Sequence, residues 1–261
     1  MSVKDKTVAW TGSIQQDGLD ILTRGGGMIV SPTKVGYIIM TSDRKGLERK
    51  FDAKVRNRNK PGVVLCGSMD QLRSLAQLTP EIEAFYQAHW DADILLGCIL
   101  PWKPEATSLI PNDGSRDLVM DGRATSCFVI RFGTPSEQLA ERLWSADRRI
   151  AFASSANPSG KGNRGLVEGI GERIEIEADL IISANDYVAS IQPAKDEHTR
   201  YEQGVMVSMV DEAGTLVPEQ NGNRMVSPAP ILIRKGLDVD KIMVLLSDHF
   251  LSWDYRQGQY Y

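Results

Sequence analysis

Short apolar runs bounded by turn residues alternate with segments of helical period over the first two thirds of the chain. Residues 28–30 (Met-Ile-Val), between Gly25-Gly26-Gly27 and Ser31-Pro32-Thr33, predict a buried strand. Similar runs at 63–65, 125–132, 150–154, 180–182 and 230–233 predict further strands, and 94–100 is an apolar run that ends at Pro101. Helices are expected over 14–24 (Leu19 and Leu22, ended by Gly25), 43–53 (Leu47 and Phe51) and 69–78 (Leu72 and Leu75). Another should start at Thr79 as N-cap with Pro80 in its first turn, and bury Ile82, Phe85, Tyr86 and Trp90. Thr134-Pro135-Ser136-Glu137 has the form of a capping box for a helix through Leu139, Leu143 and Trp144. Residues 165–174 and 238–246 read as helices, and 204–217 as a β-hairpin turning at 211–214. Helices and strands alternate first and strands dominate later. The expected fold is α/β, a twisted mixed sheet flanked by helices, with residues 1–250 as one domain and 251–261 as a polar-aromatic tail.

Composition narrows the function. With 261 residues, 42% of them hydrophobic, the chain can bury a substantial core. Thirty Lys and Arg against 34 Asp and Glu argue against a non-specific nucleic-acid coat. Cys66, Cys98 and Cys127 are odd in number and far apart, which points to neither a disulfide framework nor a zinc site. No apolar run approaches the roughly 20 residues of a membrane span, so the expectation is a reduced, cytoplasmic protein without membrane contact.

Charge is distributed unevenly. Between Arg44 and Lys60 stand eight basic residues and two acidic ones, Glu48 and Asp52. A cationic surplus inside an acidic protein suggests a pocket for a polyanion. Lys54 and Arg56 diverge on a helix but can converge on phosphates from a loop leaving one; a solvated charged face is the plainer alternative. At 154–160 a strand runs into a turn of small residues, Ser154-Ser155-Ala156-Asn157-Pro158-Ser159-Gly160. Backbone amides can approach a ligand there, and Ser and Asn add donors, although an ordinary Asn-Pro turn reads the same way. Arg131 and Arg234 each stand near the end of an expected strand.

Taken in order, these segments resemble the threonylcarbamoyl-AMP synthases, the YrdC-like family. The resemblance rests on Gly25-Gly26-Gly27 with Pro32-Thr33, on Lys54-Val55-Arg56 with Lys60-Pro61, and on Ser155 to Gly160. It continues through Phe128 to Arg131, Gly204 to Asp211 and Ile231 to Gly236, covering roughly residues 14 to 246. It implies a large cationic cavity and a nucleotidyltransferase that makes threonylcarbamoyl-AMP and pyrophosphate from ATP, bicarbonate and L-threonine, with Mg2+, for tRNA adenosine modification. Lys54 and Arg56 would be catalytic and, with Ser155, Asn157 and Arg234, would bind the nucleotide. Thr33, Arg131 and Ser208 would line the site of the amino acid, and no protein-held metal is expected.

Several positions depart from the family pattern. Lys34 and Val35 stand where an acidic residue and a hydroxyl residue are usual, Leu65 replaces a His, and Val207 stands in an expected Ser-Thr pair. Trp102 to Ala106 follows its segment only loosely. A hydrogen bond lost to a substrate hydroxyl changes discrimination by orders of magnitude. Two other readings therefore stand beside the first: a paralogue acting on another amine or metabolite, and a non-catalytic RNA-binding module.

Overall fold

A computed structural model describes residues 6–55, 61–158, 160–254 and 258. Its first half contains β1 (Thr7–Ala9), α1 (Gln16–Thr23), β2 (Ile29–Thr33), β3 (Gly36–Thr41), α2 (Arg44–Lys54), β4 (Val63–Leu65), α3 (Met69–Leu75), α4 (Pro80–Asp91) and β5 (Leu96–Pro101). Then come α5 (Arg116–Val119), β6 (Thr125–Ile130), α6 (Thr134–Asp147), β7 (Ala151–Ser155), α7 (Glu172–Glu177) and β8 (Leu180–Ser183). The chain closes with α8 (Asn185–Ile191), β9 (Val205–Ser208), β10 (Ile231–Arg234) and α9 (Val239–His249). The strands form one mixed sheet in the order β1-β8-β2-β3-β7-β4-β6-β5-β9-β10. The expected α/β sheet flanked by helices is therefore present.

Local chemistry sets the element ends. Asp43 caps α2 by accepting from Gly46 N at 2.8 Å, and its second oxygen accepts from Gly26 N at 2.6 Å. One carboxylate thus fixes both the helix start and the glycine turn that precedes β2. Thr79 caps α4, with Ile82 N at 3.2 Å, as its sequence predicts.

Alternation along each strand sends side chains to opposite faces. Val64, Leu96, Cys98 and Phe128 meet Leu72, Phe85, Tyr86, Ile242 and Leu246 on one face. Ile29, Met40, Leu65 and Ile182 meet Leu19, Leu22, Leu139 and Leu143 of α1 and α6 on the other. A third cluster joins Val30 and Ile39 to Ala53 of α2 and Ile174 of α7.

Several expectations need correction. Strands β1 and β3 were not anticipated. The 165–174 helix is broken: a 3-10 turn at Val167–Gly169 is separated from α7 by Gly171, at φ 88°. The 204–217 hairpin reduces to one antiparallel bridge, Val210 to Leu216. Strand β9 already pairs with β5 on one side and β10 on the other, which leaves no ladder for a returning strand. The capping box is displaced by a residue: Gly133 is the N-cap of α6, and Glu137 accepts from Gly133 N at 2.7 Å. Gly133 holds φ 123°, which Thr134 would not adopt. At the chain end Trp253 is buried, and Ser252 N donates to Gln220 Oε1 at 2.8 Å. Among the described residues no helix is long and apolar enough to cross a membrane.

Candidate functional site

The face covered by α1 and α6 at one end continues across β7, β4, β6, β5 and β9 as the wall of a cavity of about 390 Å3. Thr33, Ser155, Asn157 and Arg234 all line it. They come from β2, the end of β7, the turn that follows, and β10, so residues as far as 201 positions apart converge on one hollow.

Lys54 reaches this site from the last turn of α2. Its Nζ donates to the backbone oxygen of Ser155 and to its Oγ, the latter at 3.1 Å. The contact ties the basic helix to the end of β7. Val55 then closes α2 in the left-handed conformation, at φ 49°, a rare state for a β-branched side chain. Arg56, the second cation expected here, lies outside the described residues.

Beyond Ser155 the turn is held from inside. Ala156 N donates to Tyr37 O at 2.8 Å. Asn163 Nδ2 donates to Tyr37 O at 3.0 Å and to Ala156 O at 3.1 Å. Asn157 donates to Pro158 O at 3.0 Å and to Lys161 O. Gly36 makes this possible: at φ 119° it lies so close to Asn163 that a Cβ there would fall 2.2 Å from Asn163 Oδ1. Arg234 Nε donates to Gly204 O at 3.1 Å.

Thr33 lines the cavity, but its hydroxyl is occupied by its own turn. It donates to Gly36 O at 2.8 Å and accepts from Val35 N at 3.3 Å. Arg131 and Ser208 do not line the cavity. Arg131, at φ 51°, turns out of line with β6; its guanidinium lies 4.0 Å over the Trp90 ring, and Nε donates to Trp90 O at 2.8 Å. Ser208 Oγ donates to Val210 O at 3.0 Å. Lys34 is buried, with Nζ 2.7 Å from Asp93 Oδ1, so its charge is compensated there.

Asn163 and Glu202 also line the cavity and were missed by sequence reasoning. Glu202 accepts from Arg164 N across 38 residues, a contact without local signal. The Asn163 position, six residues beyond Asn157, could have been read as the far end of the same turn. The thiol of Cys127 faces the cavity too; burial pushes it up to about 12, and Arg234 opposes that shift.

Comparison with protein families places this architecture. A family model for Sua5, YciO and YrdC, described as telomere recombination, matches residues 21–194. The chain belongs to the Sua5/YciO/YrdC family. This is the family of the threonylcarbamoyladenylate synthases, as the sequence resemblance had suggested. A hypothetical protein of Streptococcus mutans is 64% identical to this family member, with a TM-score of 0.93 over 98% of this chain and 99% of that one. P. abyssi Sua5 complexed with L-threonine is 21% identical, with a TM-score of 0.63. The match covers 97% of this chain but 62% of the P. abyssi chain, so this protein spans less than two thirds of that one. E. coli YciO is 18% identical, with a TM-score of 0.60 over 88% of this chain and 94% of its own. The last two likenesses show the fold. A comparison with curated protein sequences returns no significant match.

Proposed function

We propose that this protein is a cytoplasmic, ATP-dependent synthase of a carbamoyl-adenylate, by default L-threonylcarbamoyl-AMP for tRNA adenosine modification. The observation that supports it is the Lys54–Ser155 contact, which ties the cationic end of α2 to the end of β7, beside a cavity that Ser155, Asn157 and Arg234 line. Cations fixed in advance around a partly enclosed site suit a reaction whose charge develops on phosphate oxygens.

In this reading the amine adds CO2 and loses a proton to become a carbamate. A carbamate oxygen then bonds to the α-phosphorus of ATP while the bond to the bridging pyrophosphate oxygen breaks, and pyrophosphate leaves. No side chain needs to act as nucleophile. Lys54, Ser155, Asn157 and Arg234 hold and orient the phosphates and sugar, and the enclosed hollow keeps water from the labile carbamate. Among the described residues no three His, Cys, Asp or Glu side chains cluster as a metal cage. In this reading Mg2+ is carried on the ATP phosphates, whose charge it neutralises.

A second reading, a paralogue that uses another amine, is favoured by Val35 and Leu65, both of which line the cavity with apolar side chains. Pyrophosphate release with ATP, magnesium, bicarbonate and a panel of amino acids tests both. Release that requires bicarbonate and threonine supports the first, release only with another amine supports the second, and no release with any amine overturns both.

A further inference from the structure

The cavity is polar at its two sides and apolar between them. Ser155 and Asn157, with Lys54 bonded to Ser155, stand at its β7 side, and Arg234 stands at its β10 side as the register partner of Met206. Between them lies a trough on the open face of the sheet. Register places Leu65 beside Val129, Val129 beside Gly97, and Gly97 beside Met206. Three steps at the usual strand spacing make this row roughly 14 Å long. Gly97 is its lowest point: a Cβ there would fall 2.8 Å from Cys127 Sγ and 3.3 Å from Val129 Cγ2. Val63 and Val129, in the middle of a ten-stranded sheet, are only partly buried because the cavity uncovers them.

Between Leu65 and Met206 the trough presents no hydrogen-bonding side chain to a ligand, and Arg234 bounds it beyond Met206. Its side chains carry no nitrogen or oxygen. Strands β4, β6, β5 and β9 each have a neighbour on both sides, so their amides and carbonyls are committed to the ladder. An adenine base seated there would leave its ring nitrogens and amino group without partners, which is costly. A substrate hydroxyl would meet the same penalty. The hydroxyls of Thr33 and Ser208, the two nearest in expectation, are both engaged within the protein. An aliphatic group gives up no hydrogen bonds there and covers the exposed valines.

We propose that the trough formed by Val63, Leu65, Gly97, Val129 and Met206 takes the side chain of the amine substrate, which is therefore a branched aliphatic amino acid rather than a hydroxylated one. This rests on the second reading of the proposed carbamoyl-adenylate synthesis, the paralogue that uses another amine, and puts that amine in the place of the default threonine. Its anionic carboxylate lies toward the cationic rim, and its apolar end lies on Gly97.

Valine and threonine decide the point, since they have the same shape and differ by a methyl for a hydroxyl. The whole protein is titrated with each by calorimetry, alone and with a non-hydrolysable ATP analogue, and pyrophosphate release is measured in parallel. Valine is expected to bind 10- to 100-fold more tightly than threonine, about the range an apolar pocket achieves against such an isostere. Val129→Thr, which keeps shape and strand preference while placing a hydroxyl in the wall, is expected to narrow the ratio to within about threefold; Val63→Thr serves if that variant does not fold. Threonine binding as tightly as valine, or no binding of any aliphatic amino acid, overturns the proposal. A valine preference without pyrophosphate release leaves the subsite standing and removes the proposed reaction. Release that threonine supports best keeps the reaction and removes the subsite.

Discussion

Lys54 Nζ bridges the backbone oxygen and the hydroxyl of Ser155, 101 residues away, and that contact ties the end of α2 to a residue that lines the cavity. Lys54→Met keeps the aliphatic stem and removes the charge. A hydrogen bond to a charged group is worth about 1.5–3 kcal/mol, so ATP affinity should fall by about 10- to 100-fold. The half-buried Lys54–Ser155 hydrogen bond is lost as well, and urea unfolding should register a loss of about 1 kcal/mol. Unchanged ATP affinity in a folded variant would remove Lys54 from the site.

The Lys34–Asp93 pair should be structural. Lys34 is 7% exposed and Asp93 67%. Asp93→Asn preserves shape and tolerates the residue's left-handed conformation, at φ 53°. It should cost about 1–2 kcal/mol because a buried ammonium loses its counter-charge. The exposed Lys241–Asp238 pair has the same 2.7 Å separation, yet its removal should cost no more than about 0.5 kcal/mol. Equal costs for the two pairs would contradict this account.

His89 should make the fold acid-sensitive. It is fully buried, with Nδ1 2.7 Å from Phe85 O, and burial pushes it down to about 4 from an ordinary value of 6.5. Between those limits the unfolded chain binds a proton that the folded one refuses, so stability falls as pH falls from 6.5 to 4. The full effect is about 3 kcal/mol. His89→Leu should flatten that limb of the stability profile relative to the wild type. An unchanged slope would mean that the ring is charged in the fold.

Glu137 should act in the opposite sense. Burial raises its carboxyl above the usual range, against the donor from Gly133 and the nearby charges of Lys34 and Arg131. Its stabilising contribution is complete below the unfolded value and declines as pH rises through the raised one. Glu137→Gln keeps an acceptor for Gly133 N. The variant should gain on the wild type as pH increases above about 4.5, measured as the difference between two denaturation series. A difference that shrinks with rising pH would count against it.

Gly36→Ala should damage the site from the backbone. At φ 119° alanine is strained, and its Cβ would displace Asn163 from the turn that follows β7. A cost of about 1–3 kcal/mol is expected from the strain alone, with weaker ATP binding. Binding at wild-type affinity in the folded variant would show that Asn163 does not organise the turn.

Local chemistry made part of this protein legible in its sequence. The Thr79-Pro80 start of α4, the Leu47–Phe51 spacing of α2 and the Ser155-Ala156-Asn157 turn each depend on residues within a few positions of one another, and they stand where the sequence places them. Strand β3 escaped notice because its existence depends on a two-residue turn at Lys34-Val35 closed by Gly36, and on pairing with β7 more than 110 residues later. Strand β1 is three residues long and is defined by β8, about 170 residues downstream. Side-chain fate was settled by the same distant pairings. Arg131 was expected in the pocket, yet a left-handed turn at the end of β6 delivers it to Trp90, and Ser208 satisfies itself on Val210. The sequence determined which cationic and small polar residues each local element carries, because residue type and near-neighbour spacing set them. Only the order of strands in the sheet decided which of them meet, and it left Gly97 at the bottom of an apolar trough, because sheet neighbours are fixed by packing rather than by proximity along the chain.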